Sequence, residues 1–172
     1  MISCSKFICG SLRNNIAVFL TAKAMPPAFE VTQMKEVTGK VPSLMSIMER
    51  AAYQIRLEFV EEVTQEQLDR AVVEFFNRDE IIVYRFKKNS PDKKPVNIRP
   101  GVFKLRMEAE GKFAVLHILV QTGNDFNVRP EEVAYGLMSA GMPSVLNVVR
   151  IHRNGLYLLD KKGELITPLD VI

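Results

Sequence analysis

The sequence predicts an α+β fold: a mostly antiparallel sheet with helices on one face, ferredoxin-like in its core and with an extra strand. Three patterns predict it. Residues 53–59 alternate apolar and polar side chains, residues 64–78 repeat apolar side chains at helical spacing, and residues 113–120 are apolar almost throughout. From residue 53 the predicted order is strand, helix, strand, strand, strand, helix, strand, strand.

The first strand and the first long helix have local signals. The odd-numbered residues of 53–59 are apolar, so we expect them to face the core. Thr64 and Gln67 have the spacing of a capping box, which predicts a helix over residues 64–78. Upstream, the pattern favours a short helix over residues 42–52, a helix at 16–24 and an extended segment at 29–37.

Three strands are predicted in the middle of the chain. Residues 82–87 alternate, and we expect the even-numbered ones to face the core, followed by a Pro- and Lys-rich loop from Asn89 to about Pro95. Residues 103–109 form the next strand, with Phe103 and its alternate neighbours inward. A turn at Glu110-Gly111 leads into residues 113–120, which are typical of a central strand covered on both faces.

The last third of the sequence predicts a helix followed by two strands that complete the sheet. Pro130, two following glutamates and Gly141 mark the start and end of the helix. Residues 145–151 and 156–159 are predicted to be strands joined by a turn at Asn154-Gly155.

Composition indicates a globular protein of the cytoplasm. The chain is 47% hydrophobic and 25% charged, and no apolar run approaches the roughly 20 residues that span a membrane. Cys4 and Cys9 are too few to ligate an iron–sulfur cluster or a structural zinc ion, so we expect no cofactor and no metal in this chain. The first residues also resemble a short secretory signal, although two asparagines directly precede its apolar part.

A basic segment, Arg85–Arg106, is the main functional signal. It holds eight Lys or Arg and one Asp, a net charge of +7, whereas the whole chain carries +3. Such a segment in an acidic remainder favours a phosphate-rich or acidic partner. A solvated basic surface without any ligand is the alternative.

On the predicted strands the charged side chains point away from the core, so three strands would present one cationic surface. The candidate residues for binding a partner or nucleic acid are Arg56, Arg85, Lys87, Lys93, Lys94, Asn97, Arg99, Lys104 and Arg106. Because Tyr84, Phe86 and Phe103 are expected to face inward, this surface lacks the exposed rings on which single-stranded RNA usually stacks.

Asn97 and Arg99 lie between two prolines and would point the same way, offering an amide and a guanidinium to one anion or base edge. Alternatively, Arg99 pairs with the protein itself and holds the loop in place. The neighbouring lysines favour the exposed position.

Signatures of catalysis are missing from the sequence: it has no Walker loop, no GxGxxG, no HExxH and no GxSxG. His117 lies on the apolar strand and is predicted to be a hydrogen-bonded core histidine, while His152 is predicted to be exposed. We therefore expect no catalytic residue. Whether the protein is an enzyme stays open, and the sequence favours a protein that is not.

Four ordered motifs, Val37–Ser46, Ala52–Leu57, Val96–Pro100 and Arg129–Val133, resemble the bacterial radical-SAM-linked protein family, a domain of unknown function. Its members are fused behind, or encoded beside, a radical S-adenosylmethionine protein. The resemblance implies a non-catalytic accessory or substrate-presenting domain with that protein as its partner. The alternative is an RNA-binding module or a degenerate tRNA-modifying domain, similar to pseudouridine synthases, that uses the basic segment.

The resemblance covers roughly residues 19–160 and corresponds to the C-terminal two-thirds of a typical member. A Ser-His-Leu-Asp motif of the family's N-terminal portion has no counterpart, and Asn97 stands where the family usually has Asp. We therefore predict an N-terminal extension, or the remnant of a truncated portion, at residues 1–40 and an α+β domain at residues 41–172.

Overall fold

The computed structural model describes Pro26, residues 43–86 and residues 91–171 of the chain. Residues Pro42–Pro168 belong to one compact unit, and the sheets, cavities and contacts described below lie within that unit. The elements predicted at residues 16–24 and 29–37, and the two cysteines, lie outside the described residues. The predicted domain boundary at residue 40 stays a prediction.

The described chain alternates helices and strands in the predicted α+β manner. Its elements are, in order, α1 (Leu44–Ile47), β1 (Arg50–Phe59), α2 (Gln65–Asn77), β2 (Ile82–Phe86), β3 (Lys93–Asn97), a 3₁₀ turn (Arg99–Gly101), β4 (Val102–Glu110), β5 (Phe113–Gln121), α3 (Pro130–Ser139), β6 (Val145–Leu159), β7 (Leu165–Ile166) and α4 (Pro168–Val171).

Within the described part of the chain, five strands form the main sheet in the order β4-β5-β1-β6-β7, and every neighbouring pair is antiparallel. The first four follow the strand order of a ferredoxin-like βαββαβ unit, which confirms the predicted fold class. β5 lies between β4 and β1, as its apolar sequence predicts. β2 and β3 form a separate two-stranded ribbon that is inserted between α2 and β4.

Helices α2 and α3 contribute to one core with the face of the sheet that we call the inner face. Ile55 of β1, Leu116 of β5, Phe75 of α2 and Leu137 of α3 are all fully buried there. Each such side chain contributes about 1.5–3 kcal/mol through the hydrophobic effect. The opposite side of the sheet, which we call the outer face, carries the even-numbered residues of β1 and the odd-numbered residues of β5.

The capping box of α2 is present as predicted. The Thr64 hydroxyl accepts a hydrogen bond from the Gln67 amide at 3.3 Å, and the Gln67 side chain accepts one from the Thr64 amide at 2.9 Å. The helix then buries Leu68, Ala71 and Phe75, spaced as the sequence indicates.

Three predicted elements have different bounds in the structure. The segment at residues 42–52 is helical only over Leu44–Ile47, because β1 already starts at Arg50. Where a loop was expected, Lys93–Asn97 forms β3 and pairs with β2. The two closing strands are one continuous strand, β6, and Asn154-Gly155 is not a turn.

Gly155 explains the last difference, because it stands opposite Ala52 of β1 within the sheet and the ring of Tyr157 occupies the space above it. A Cβ at this position would lie 2.5 Å from the Tyr157 hydroxyl. Gly155 therefore serves side-chain packing rather than a reversal of the chain.

Among the described helices, none has the length and apolar character needed to cross a lipid bilayer.

Candidate binding surfaces

The candidate residues of the basic segment are divided between three places. Arg56 of β1 and Lys104 and Arg106 of β4 lie on the outer face of the main sheet. Arg85, Lys93, Lys94 and Asn97 lie on the ribbon, and Arg99 lies in the 3₁₀ turn. Lys87 lies outside the described residues. The expected single cationic surface on three strands of one sheet is therefore wrong, because β2 belongs to another sheet.

The inward and outward faces of β2 are the reverse of those predicted. Ile82, Tyr84 and Phe86 are 44%, 67% and 70% exposed, whereas Val83 and Arg85 are partly buried. Strict alternation separates two faces of a strand but does not say which one meets the core. The ribbon consequently displays aromatic rings that the alternation of β2 predicts to be buried.

Arg85 is turned inward by an ion pair with α3. Its Nε and Nη2 atoms donate to the two carboxylate oxygens of Glu132 at 2.7 and 2.6 Å, and Nη2 also donates to the Asn127 carbonyl at 2.6 Å. Glu132 in turn accepts a hydrogen bond from the Arg129 amide at the start of α3. Because this bidentate pair satisfies the guanidinium, Arg85 joins the ribbon to the body of the domain.

Asn97 and Arg99 also contact the protein itself. The Asn97 carboxamide oxygen accepts hydrogen bonds from the amides of Ile81 and Arg99, at 3.0 and 3.1 Å. The Arg99 guanidinium donates to the Phe76 carbonyl at 3.1 Å, and its central carbon lies 4.7 Å from the centroid of the Phe76 ring. The expected exposed position of Arg99 is wrong, because the guanidinium packs on the last turn of α2.

A groove between β2 and α3, which we call the aromatic groove, is the first candidate binding surface. Its volume is about 530 Å³, and its lining includes the Arg85–Glu132 pair. Three exposed rings surround it: Tyr84, Phe86 and, from α3, Tyr135, which is 62% exposed. Lys93 adds a cation 5.0 Å from the centre of the Phe86 ring. The groove thus offers a rim of aromatic area beside one added cation, while the charges of Arg85, Arg129, Glu131 and Glu132 in its lining balance.

The outer face of the main sheet is the second candidate surface. The strand register aligns Arg106, His117, Gln54 and His152 in one row across β4, β5, β1 and β6. His117 is half-buried and has no hydrogen-bond partner within the described residues, so the prediction of a hydrogen-bonded core histidine is wrong. It belongs to the odd-numbered set of β5, which faces away from the helices.

The predicted cations of the outer face differ in how they are paired. Arg56 forms an ion pair with Glu110 at 3.2 Å, and Arg106 forms one with Glu108 at 2.5 Å. Lys104 has no such carboxylate partner in the described part of the chain. Phe103, expected inward, is 38% exposed beside a register shift of β4, and the Arg50 guanidinium lies 3.8 Å from its ring centroid.

Described residues of this face line a larger and a smaller cavity. The larger, which we call the outer-face cavity, has a volume of about 490 Å³ and lies among Lys104, His117 and Tyr157. The smaller, about 320 Å³, lies among Gln54, Arg56, Arg150 and His152. No group of three His, Cys, Asp or Glu side chains among the described residues is arranged to hold a metal ion.

Comparison with known families agrees with one part of the resemblance, namely that the chain belongs to an uncharacterised family conserved in bacteria. Residues 15–130, more than half of the chain, match the family described as "Uncharacterized protein conserved in bacteria (DUF2344)", and the chain belongs to this family. No curated protein and no solved structure matches it significantly.

Proposed function

We propose that this chain is a non-catalytic accessory domain that binds a radical S-adenosylmethionine protein and either holds it or presents its substrate. The aromatic groove is the observation that supports this best. Tyrosine and phenylalanine are enriched at the centres of protein interfaces, where they bury a large area at a low cost in side-chain entropy. The resemblance to radical-SAM-linked proteins supplies the identity of the partner.

The composition of the ribbon supports a protein partner. On its outward side Tyr84 stands opposite Pro95 and Phe86 stands opposite Lys93, with Ile82 at the end of the row. Apolar side chains therefore outnumber charges on this side. Contiguous exposed apolar area on a soluble domain usually marks a contact with another protein.

Anaerobic co-purification from a native host tests the proposal. Tagged wild-type chain is expected to retain a radical S-adenosylmethionine protein, and the double variant Tyr84→Ala/Phe86→Ala is expected to lose it. The matched control is Val73→Ala/Leu146→Ala, which also removes two apolar side chains that are more than half exposed but lie outside the groove. Wild-type material that never contains such an enzyme, or equal loss in the control, would refute the proposal.

Single-stranded RNA is a second candidate partner, because the Tyr84 and Phe86 rings are exposed, Lys93 stands opposite Phe86 on β3, and the exposed Lys94 follows it. Bases stack on such rings at about 1–3 kcal/mol each, and lysines contact the phosphates. In this proposal the chain is an RNA-binding or degenerate tRNA-modifying domain. A tRNA titration at low salt tests it: wild type should bind, Tyr84→Ala/Phe86→Ala should bind at least tenfold more weakly, and absence of binding to wild type rejects it.

A further inference from the structure

The outer-face cavity has the size of a small-molecule site. Its volume of about 490 Å³ lies within the range of roughly 300–1,000 Å³ that is typical of ligand pockets. Strands β4, β5, β1, β6 and β7 all contribute to its lining. The cavity is therefore a product of the whole sheet rather than of one loop.

Small residues at the centre of the sheet make room for it. Ala52 of β1 and Gly155 of β6 are paired across the two strands, next to a register shift between Ala52 and Tyr53. Tyr157 lies over Gly155, and its hydroxyl comes within 2.5 Å of the place a Cβ would take. This arrangement brings a tyrosine hydroxyl into a depression that larger residues would fill.

Polar groups with free hydrogen-bonding capacity surround the cavity. Within residues 43–86 and 91–171, the side chains of Lys104, His117, Asn154 and Tyr157 form no hydrogen bond and no ion pair with the protein. Half-buried polar groups normally have partners, so the unused side chains of His117 and Tyr157, beside the exposed Lys104 and Asn154, indicate an external partner. His117 and Tyr157 are only partly exposed, which makes water a less complete substitute.

The charge of the cavity lining indicates the charge of that partner. Lys104 and Arg106 contribute positive charge, and none of the described residues that line the cavity is an Asp or a Glu. Arg106 is already engaged with Glu108, so Lys104 supplies the unpaired cation. An acidic group on the ligand would complete this set of donors.

The remaining lining is apolar and requires a ligand with an apolar part. Ala52, Leu119 and Leu165 contribute hydrocarbon, and Leu119 is only 9% exposed although it belongs to the outer face. We infer that the outer-face cavity binds a small organic anion, in which an acidic group is attached to an apolar or aromatic body. The site lies across the sheet from α2 and α3, so it does not depend on the aromatic groove or its partner.

Fluorescent dyes test this inference directly. The anionic probe is 8-anilinonaphthalene-1-sulfonate, and the neutral probe with the same ring system is N-phenyl-1-naphthylamine. Wild type should bind the anion saturably and more tightly than the neutral dye. Lys104→Met keeps the length of the side chain but removes its charge, so the anion should bind about tenfold more weakly while the neutral dye is unaffected. Tyr157→Phe should weaken binding of the anion about threefold, because it removes one hydrogen-bond donor.

Two control variants locate the binding. Lys94→Met removes an exposed lysine of the ribbon, and Tyr84→Ala/Phe86→Ala removes the rim of the aromatic groove. Both should bind the anion as wild type does, and equal circular dichroism spectra establish that every variant is folded. The inference fails if the anion does not bind saturably, if Lys104→Met binds it within twofold of wild type, or if either control loses as much affinity as Lys104→Met.

Discussion

At the residue scale, the structure gives most of the predicted cations a partner within the protein. Arg85 pairs with Glu132, whose position is 47 residues away in the chain, and Arg99 packs on Phe76. Neither partner has a signal near the cation in sequence, so a charge count alone could not separate structural guanidinium groups from free ones. Lys93, Lys94 and Lys104 remain exposed, as predicted.

The prediction of which face of β2 is buried is wrong for the same reason. Ile82, Tyr84 and Phe86 are the more apolar set of the strand, so hydrophobicity favours burying them. The structure instead partly buries Val83 and directs Arg85 towards the carboxylate of Glu132. A bidentate pair with a residue on α3 thus decides which face of the ribbon is outward, and it exposes the rings of the aromatic groove.

Arg99→Ala should lower the free energy of unfolding by about 1–2 kcal/mol. The substitution removes a charged donor from the Phe76 carbonyl and a cation–π contact with the Phe76 ring. Part of this loss is offset because the Arg99 Nε atom is buried without a hydrogen-bond partner in the described part of the chain. Denaturant unfolding at equilibrium measures the change. Lys94→Ala, at an exposed position, is the control and should change stability by less than about 0.5 kcal/mol; an equally small effect of Arg99→Ala would show that its contacts contribute little.

At the element scale, local signals predicted the structure where they were complete. Thr64 and Gln67 set the start of α2, and alternation predicted the buried set of β1 correctly. Asn154-Gly155 is the opposite case, because this dipeptide is typical of a hairpin turn yet lies within β6. The reason is tertiary: Gly155 fits between Ala52 and the Tyr157 ring, which no local pattern reports.

Local sequence patterns also did not predict β3, and therefore did not predict the ribbon. Pro95 and the lysines before it lower the strand propensity of β3, so the segment has the composition of a loop. Its pairing with β2 is nevertheless regular from Ile82 to Phe86. Pro95 is tolerated because β3 pairs with β2 alone among the described strands and belongs to an edge.

The contact of α3 with α2 gives a prediction at this scale. Gly136 of α3 faces Phe75 and Ile81, and a Cβ there would lie 2.9 Å from the Phe75 ring and 2.8 Å from the Ile81 Cγ2. Both neighbours are buried and cannot move freely. Gly136→Ala should therefore destabilise the domain by a net of about 1–2 kcal/mol, although alanine gains up to about 1 kcal/mol in helix propensity.

Thermal or denaturant unfolding of Gly136→Ala measures this effect. Val73→Ala is the control, because Val73 lies exposed on α2 and the change alters helix propensity without a steric contact. It should shift stability by less than about 0.5 kcal/mol. A Gly136→Ala variant as stable as wild type would mean that the two helices can separate slightly at no cost.

At the scale of the whole molecule, the fold disperses the charge of the basic segment. A net charge of +7 within 22 residues suggested one cationic surface. The structure instead directs Arg85 and Arg99 into contacts with the protein and places the exposed lysines on two separate sheets. The charge pattern marks the segment, but the separation of its charges between the ribbon and β4 follows from strand pairing, which a charge pattern does not report.

This dispersal predicts how a complex at the aromatic groove responds to salt. The three rings of the rim are uncharged, and the charges of the groove lining balance, which leaves Lys93 as the one added cation among the described residues of this surface. Salt weakens contacts between exposed opposite charges but not apolar burial. The dissociation constant of the proposed complex with a radical S-adenosylmethionine protein should therefore change by less than about threefold between 0.1 and 0.5 M NaCl.

Isothermal titration calorimetry under anaerobic conditions at the two salt concentrations measures this dependence. RNA held by the lysines of the ribbon would behave differently, because contacts with about three phosphates on a single strand weaken binding by about 30-fold over the same range. Lys93→Gln/Lys94→Gln serves as the matched variant: it should reduce that salt dependence for RNA and leave a protein complex at the groove nearly unchanged. A protein complex that weakens tenfold or more with salt would show that the lysines, and not the exposed rings of Tyr84, Phe86 and Tyr135, provide its main contacts.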